Sequence, residues 1–185
     1  GKGFVLYLDG QVGYGKTYGS NGISDTAFEA LKASSAAQDP THIVTDMRQD
    51  FPFWQNFYAG GVRDVRGFQD NTLGPRICID GSTPDKSGNC SGGYYAQPIG
   101  GAFKVLGTAE LYIPIPGLKD VNTARVSWFV DVGNAYKDYK NFSASTLRAS
   151  TGVSLHWQAP IGPLIISFAM PFRTQADDGH YEERI

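Results

Sequence analysis

The chain has 185 residues, of which 41 % are hydrophobic, 18 % charged and 13 % aromatic. This length predicts a single domain, and the near balance of 16 basic and 18 acidic residues gives no electrostatic indication of nucleic-acid binding. No apolar run approaches the roughly 20 residues of a membrane-spanning helix. A membrane-spanning β-strand needs only about 9–11 residues with every second one apolar, and such strands remain compatible with this composition.

Five segments alternate between apolar and polar residues, which is typical of β-strands with two unlike faces. In each segment one face is apolar, and the other carries charges, hydroxyl groups and a few apolar residues. The predicted strands are Phe4–Tyr14, Phe103–Ile113, Arg125–Gly133, Arg148–Trp157 and Leu164–Met170.

A soluble β-sandwich produces the same alternation, so the pattern alone leaves a sandwich and a barrel open. Two features favour an antiparallel transmembrane β-barrel. The apolar faces include Trp128 and Trp157, which suit the aromatic girdles of a lipid-facing wall. The connections also alternate between the short Gln158–Pro163 and the long Tyr18–Phe51 and Phe68–Gly101. Short turns on one side and long loops on the other are typical of outer-membrane barrels.

One helical candidate interrupts the first long connection. Thr26 and Glu29 have the spacing of a capping box, and Asp39-Pro40 ends the pattern. We therefore predict a helical insertion over about residues 24–39, which we interpret as a surface helix decorating a loop.

The stretch Pro52–Arg76 combines aromatic residues and arginines with glycines that interrupt any regular period. Such a loop is poorly suited to water and too polar for an ordinary core. We predict that a long loop, about residues 52–101, folds inward into an enclosed, partly wet cavity. Long loops of this kind in compact proteins are usually functional.

The same stretch resembles the sixth extracellular loop of the BamA family, the barrel subunits of the machinery that inserts bacterial outer-membrane proteins. The resemblance rests on the motif Val65-Arg66-Gly67-Phe68, preceded by Phe57–Gly61 and followed by Asn71–Pro75. It implies that the chain is the C-terminal part of an outer-membrane β-barrel, about five strands long. Relative to that family, the periplasmic domains and the closing strand are expected to be absent from these 185 residues.

Glu110 and Asp131 fall on the polar faces of consecutive predicted strands, where antiparallel pairing can bring them together. Neighbouring carboxylates repel each other and favour a nearby cation. Arg66 is the candidate, because its planar guanidinium can bind carboxylates through two hydrogen bonds. The resemblance implies the same arrangement, with Arg66 held by Glu110 and Asp131. The alternative is that Arg66 is a solvated loop arginine, like Arg63 or Arg76.

Cys78 and Cys90 flank a polar turn. A disulfide between them would stabilise the fold by roughly 3 kcal/mol in the chain-entropy account, and it would persist only in an oxidising compartment. Two unpaired thiols are the alternative. A metal site is not expected, because two cysteines without a nearby histidine cannot complete a tetrahedral shell. No motif for a cofactor or for bond-breaking catalysis is present, so we expect neither a cofactor nor an enzyme.

The resemblance therefore implies part of an assembly factor that folds and inserts β-barrel proteins into the bacterial outer membrane. The implied partners are unfolded outer-membrane proteins, the lipoproteins of the assembly machinery and the lipid bilayer; nucleic acid is not expected. Two alternatives stay open from the sequence. One is a polypeptide transporter of the two-partner secretion type, and the other is a soluble β-rich binding module.

Overall fold

The computed structural model describes residues 3–16, 55–79, 82–115 and 124–178. The strands within these ranges are β1 (Val5–Tyr14), β2 (Arg76–Ile77), β3 (Gln97–Pro98), β4 (Phe103–Ile113), β5 (Ala124–Tyr136), β6 (Arg148–Ala159) and β7 (Gly162–Arg173). Short 3-10 turns follow at Tyr139–Asn141, Ala144–Thr146 and Ala176–Asp178. No helix in the described part of the chain is long and apolar enough to cross a membrane. The helix predicted near residues 24–39 lies outside the described residues.

The five long strands of the described residues form one antiparallel sheet in the order β1-β4-β5-β6-β7. Every strand predicted from the alternation is present, so the prediction of an all-β antiparallel fold is confirmed. β6 continues two residues past its predicted end, to Ala159. The predicted boundaries were shorter still at two strands, since β5 continues to Tyr136 and β7 extends from Gly162 to Arg173. Both extensions lie at strand ends, where glycine and proline weaken the alternation.

The two faces of the sheet differ in the way the alternation predicted. Each strand turns its apolar stripe to the outer face, where large side chains remain exposed in the chain by itself. Trp128, for example, is 49 % exposed and Trp157 is 43 % exposed. Side chains this apolar and this accessible suit contact with lipid rather than with water.

The inner face carries the polar side chains and is covered by the long loop between β1 and β4. Apolar residues of the loop pack against the inner face of β4 and the end of β5 in one buried cluster. The cluster consists of Ala59, Val65, Phe68, Leu73, Leu106 and Ala135. Burial of these side chains stabilises the loop on the wall, because each fully buried large apolar side chain contributes about 1.5–3 kcal/mol.

Further along the loop, β2 and β3 form a short antiparallel ribbon. Cys78 and Cys90 are joined by a disulfide next to this ribbon, with a Cα–Cα distance of 5.7 Å. The predicted disulfide is therefore confirmed. Both cysteines are nearly fully buried and pack with Ala96, so the disulfide also forms a small core for this part of the loop.

Candidate functional site

The tip of the long loop has a compact backbone that depends on glycine. The Leu73 amide donates to the Ala59 carbonyl at 2.9 Å, which closes the segment between them. Gly60 and Gly61 have φ values of 103° and 99°, in the region that side-chain-bearing residues avoid. A Cβ atom at Gly61 would also collide with the Asp70 carboxylate. The motif Val65–Phe68 therefore lies on a closed, self-supported loop.

Arg66 extends from this loop to Asp131 on β5. Its Nε donates to Asp131 Oδ2 at 2.6 Å, and its Nη2 donates to Asp131 Oδ1 at 2.8 Å. The Arg66 backbone amide donates to the same carboxylate at 3.2 Å. Asp131 is 1 % exposed, so this two-bond contact is shielded from water. Such bidentate, charge-assisted bonds are among the stronger hydrogen bonds in proteins.

Glu110 on β4 completes a set that we call the inner charge site: Arg66, Glu110 and Asp131. The Arg66 Nη1 atom lies 3.6 Å from Glu110 Oε2. The register pairs Glu110 with Phe129 and Thr108 with Asp131, so the two carboxylates are diagonal neighbours on the inner face. The structure brings Arg66, Glu110 and Asp131 together on the inner face.

The second oxygen of Glu110 binds other groups of the wall. Ser127 donates to Glu110 Oε1, and His156 Nε2 lies 3.0 Å from the same oxygen. Ser127 and His156 are also within 3.2 Å of each other. Glu110 therefore does not depend on Arg66 alone, whereas both oxygens of Asp131 are bound by Arg66.

The Arg66 guanidinium also stacks on an aromatic ring. Its central carbon lies 3.4 Å from the centroid of the Phe129 ring, a cation–π contact. Phe129 is fully buried and pairs with Gly152 across β5 and β6. A Cβ atom at Gly152 would collide with the Phe168 carbonyl oxygen on β7 and would lie 2.7 Å from the Phe129 ring. Gly152 thus makes room for the backbone of β7 and for the ring that supports Arg66, a dependence that the sequence pattern did not indicate.

Burial and charge act in opposite directions on Arg66. Desolvation lowers its pKa, but the hydrogen bonds and charge of Asp131, together with the charge of Glu110, outweigh this and raise the pKa of Arg66 above its ordinary value. Arg66 therefore stays protonated. The alternative of a solvated arginine does not fit a side chain that is only 12 % exposed.

The inner charge site lies well inside the wall. The loop enters beside the end of β5, where the Ala102 amide donates to the Lys137 carbonyl at 3.3 Å. Asp131 lies in the middle of β5, about 17 Å along the strand from Tyr136 at about 3.4 Å per residue. The tip of the loop therefore lies between the strand ends rather than above them.

A second ion pair joins the loop to the wall beside the first. Lys104 on β4 donates to the Asp64 carboxylate at 2.6 Å, and both side chains are more than four-fifths buried. The loop thus presents an acid and a base two residues apart, and the wall supplies the opposite charge for each. Sequence reasoning missed this pair, although Lys104 lies in the predicted strand Phe103–Ile113.

The glycine of the motif, Gly67, lies against the edge strand β7. Gly67 has a φ of 88°, and a Cβ atom there would lie 3.1 Å from Pro171 and 3.3 Å from Ala169 on β7. At the other edge, the Phe57 ring lies against Gly13 on β1. The loop therefore contacts the inner face from one edge strand to the other.

Comparison with known proteins shows the family to which this chain belongs. An Omp85 superfamily domain matches residues 1–185, the whole of the sequence. The chain belongs to the Omp85 superfamily. Its location is therefore the bacterial outer membrane.

Individual relatives of this Omp85 chain are assembly factors by name. Outer membrane protein assembly factor BamA of Neisseria meningitidis serogroup B is 31 % identical over an alignment that covers 70 % of this chain and 18 % of that protein. BamA of Nitratidesulfovibrio vulgaris is 24 % identical, with 77 % and 16 % covered. The chain thus spans less than a fifth of the length of these curated relatives.

A solved structure agrees with the same assignment. The crystal structure of BamA from Haemophilus ducreyi lacking POTRA domains 1-3 superposes with a TM-score of 0.64 at 27 % identity. The match covers 98 % of this chain and 30 % of that one. The resemblance of the Omp85 chain to the C-terminal part of a BamA barrel is therefore confirmed.

Proposed function

We propose that this Omp85 chain is the C-terminal section of the barrel of an outer-membrane protein assembly factor. Its parent protein would accept unfolded outer-membrane proteins and help them insert into the lipid bilayer, in the company of assembly-machinery lipoproteins. The relatives named above carry the assembly-factor name, which favours assembly over polypeptide transport.

Within that function, we assign the inner charge site to loop anchoring. One observation carries the assignment: Arg66 binds both oxygens of a carboxylate in the middle of the wall, with an aromatic ring beneath the guanidinium. Removing one partner from a buried ion pair costs about 3–5 kcal/mol, because a charge is left unmatched. A loop held this strongly keeps the inner surface of the barrel in one arrangement.

The chemistry of this function is mechanical and electrostatic. An insertion factor lowers a barrier for a substrate that already favours the folded, membrane-embedded state. The chain supplies an apolar outer face toward lipid and a polar inner face that its own loop occupies. We infer that the loop maintains the shape of the wall while neighbouring strands receive the substrate.

Vesicle insertion assays test the proposed function. The full-length protein that contains this section is reconstituted into lipid vesicles, an unfolded barrel protein is added, and its folding is followed by heat-modifiable gel mobility. We expect folding to be faster than in protein-free vesicles. Equal rates would overturn the assembly function, and movement of a soluble polypeptide across the vesicle membrane would instead support a transporter.

A further inference from the structure

A second group of charged side chains lies at the end of the wall where the long loop enters, which we call the outer end. Arg76 comes from the long loop, Arg148 from the start of β6, and Asp177 and Asp178 from the turn that follows β7. We call these four residues the outer cluster. Asp178 is fully buried, and the side chains of Arg76 and Arg148 are 3 % and 6 % exposed.

Asp178 is the centre of the outer cluster. Arg148 donates to its two oxygens at 2.9 Å and 3.0 Å, and Arg76 Nη2 donates to Oδ1 at 3.0 Å. The Gln175 backbone amide adds a fourth donor at 2.8 Å. A carboxylate with this many donors holds its surroundings in one arrangement, because each donor would lose a charged partner if it moved.

Asp177 ties the cluster together from its other side. It lies 2.8 Å from Arg76 Nη1 and 3.4 Å from Arg148 Nη2. Its backbone carbonyl accepts a further bond from Arg76. Arg76 thus reaches the turn after β7 through two carboxylates and one carbonyl, and the solvated position considered from the sequence does not apply to it.

The outer cluster is continuous with the disulfide-bonded part of the loop. Arg76 belongs to β2, the ribbon strand that leads into Cys78. Gly88, inside the disulfide loop, packs on Asp177, and a Cβ atom there would lie 3.2 Å from the Asp177 carbonyl oxygen. The disulfide therefore supports the backbone that presents Arg76 to the turn after β7.

We propose that the outer cluster is a second anchor of the long loop, which positions the disulfide-bonded ribbon and the turn after β7 on the outer end of β6. Arg76, Arg148 and Asp178 are its positioning residues. The anchor is separate from the inner charge site, since the two share no residue and one lies in the middle of the wall and the other at its outer end. Arg76 Nη2 also donates to the Thr72 carbonyl at 3.0 Å, at the end of the tip segment. This inference goes beyond the proposed function and does not require it.

The consequence is a division of the loop into two separately held parts. The tip is fixed to the middle of the wall, and the ribbon is fixed to its outer end. Any displacement of the turn after β7 away from β6 must break contacts of Arg148 or Arg76, whereas release of the tip leaves those contacts intact.

Hydrogen–deuterium exchange of the full-length protein in detergent tests this inference. For Arg76→Gln, we expect amide exchange at residues 82–98 and 174–178 to rise at least tenfold. Exchange at residues 61–70, on the tip side of Thr72, should stay within twofold of the wild type. For Arg66→Gln, the pattern should reverse. Arg76→Lys, which retains the charge, should restore much of the protection at 174–178.

Arg173→Gln is the matched control, because Arg173 is an exposed arginine near the same end that donates to the Ala144 carbonyl outside the outer cluster. It should leave exchange at residues 174–178 within twofold. Should Arg76→Gln fail to fold, the isosteric Asp178→Asn takes its place with the same expectation. Unchanged exchange at residues 174–178, or an equal rise at residues 61–70, would overturn the second anchor.

Discussion

The inner charge site and the outer cluster use the same chemistry on the same loop, yet they differ in composition. The inner site sets one guanidinium against two carboxylates, and the spare oxygen of Glu110 is taken by Ser127 and His156. The outer cluster sets two guanidinium groups against two carboxylates and is charge-balanced by itself. The inner site therefore needs further groups of the wall, Ser127 and His156, as partners for its carboxylates. The charges of the outer cluster balance among its own four members.

This difference predicts different responses to loss of a charge. In the inner site, Asp131 has one cationic partner, so each member depends strongly on the other. In the outer cluster, a lost contact of Asp177 leaves Asp178 with both arginines. The inner site should therefore fail at a single substitution, and the outer cluster should weaken by steps.

The largest effect is expected for Asp131→Ala. Arg66 would keep its charge without a full partner, and the free energy of unfolding should fall by about 3–5 kcal/mol. Urea unfolding of the full-length protein in detergent measures this. Asp9→Ala is the control, since Asp9 lies on the inner face of exposed β1 and should change stability by less than about 0.5 kcal/mol. Equal losses in the two variants would contradict the comparison.

Acid should release the outer cluster next. Burial raises the pKa of Asp178, but its bonds to Arg148, its bond to the Gln175 amide and the charge of Arg76 outweigh this and lower the pKa below its ordinary value of 3.8. The stabilisation is therefore fully present above pH 3.8 and is lost as the pH falls through the lower, folded value. Exchange at residues 174–178, corrected for the intrinsic rate of amide exchange at each pH, should rise only below pH 3.8. A rise beginning near neutral pH would contradict this assignment.

Gly152→Ala should have an intermediate effect. The added methyl group would collide with the Phe168 carbonyl oxygen on β7 and with the Phe129 ring beneath Arg66, and overpacking of this kind costs about 1–3 kcal/mol. The temperature of unfolding of the full-length protein in detergent is the measurement. Gly10→Ala on β1 is the control, because the nearest atom to its added Cβ is at an ordinary 3.9 Å. A smaller loss for Gly152→Ala than for Gly10→Ala would contradict the close packing of Gly152 between β7 and the Phe129 ring.

The smallest effect is expected from the pair Asp64 and Lys104. Its side chains are 15 % and 18 % exposed, against 1 % for Asp131, so we expect a contribution towards the upper end of the range of about 0.2–1 kcal/mol found for solvent-accessible pairs. A double-mutant cycle with Asp64→Asn and Lys104→Met should give a coupling energy in that range by urea unfolding. A coupling near zero would show that the loop tip is held by Arg66 without help from its neighbour.

Much of the fold could be predicted because alternation is a local property of a strand. The parity of Glu110 and Asp131 placed them on one face, and antiparallel pairing then brought them within reach of one arginine. The exact strand ends were less predictable, because Gly133 and Pro171 obscure the alternation while remaining paired in the sheet.

The outer cluster could not be predicted in the same way. Arg76 and Asp178 are separated by most of the sheet in sequence, and neither lies on a strand face whose neighbours are fixed by period. Their contact depends on how the disulfide-bonded ribbon folds back over the strand ends. The role of Gly152 could not be predicted either. This glycine leaves space for neighbouring atoms, including the Phe129 ring, and the absence of a side chain produces no recognisable sequence pattern.

The pairing of Arg66 with Asp131 is tested most directly by charge reversal in the full-length protein. Arg66→Glu and Asp131→Arg should each lower the temperature of unfolding in detergent, because each places like charges together at the inner charge site. The double variant restores an opposite pair at the same positions and should recover a substantial part of both losses. If its unfolding temperature falls by the full sum of the two single losses, the tip of the loop is not held by this contact.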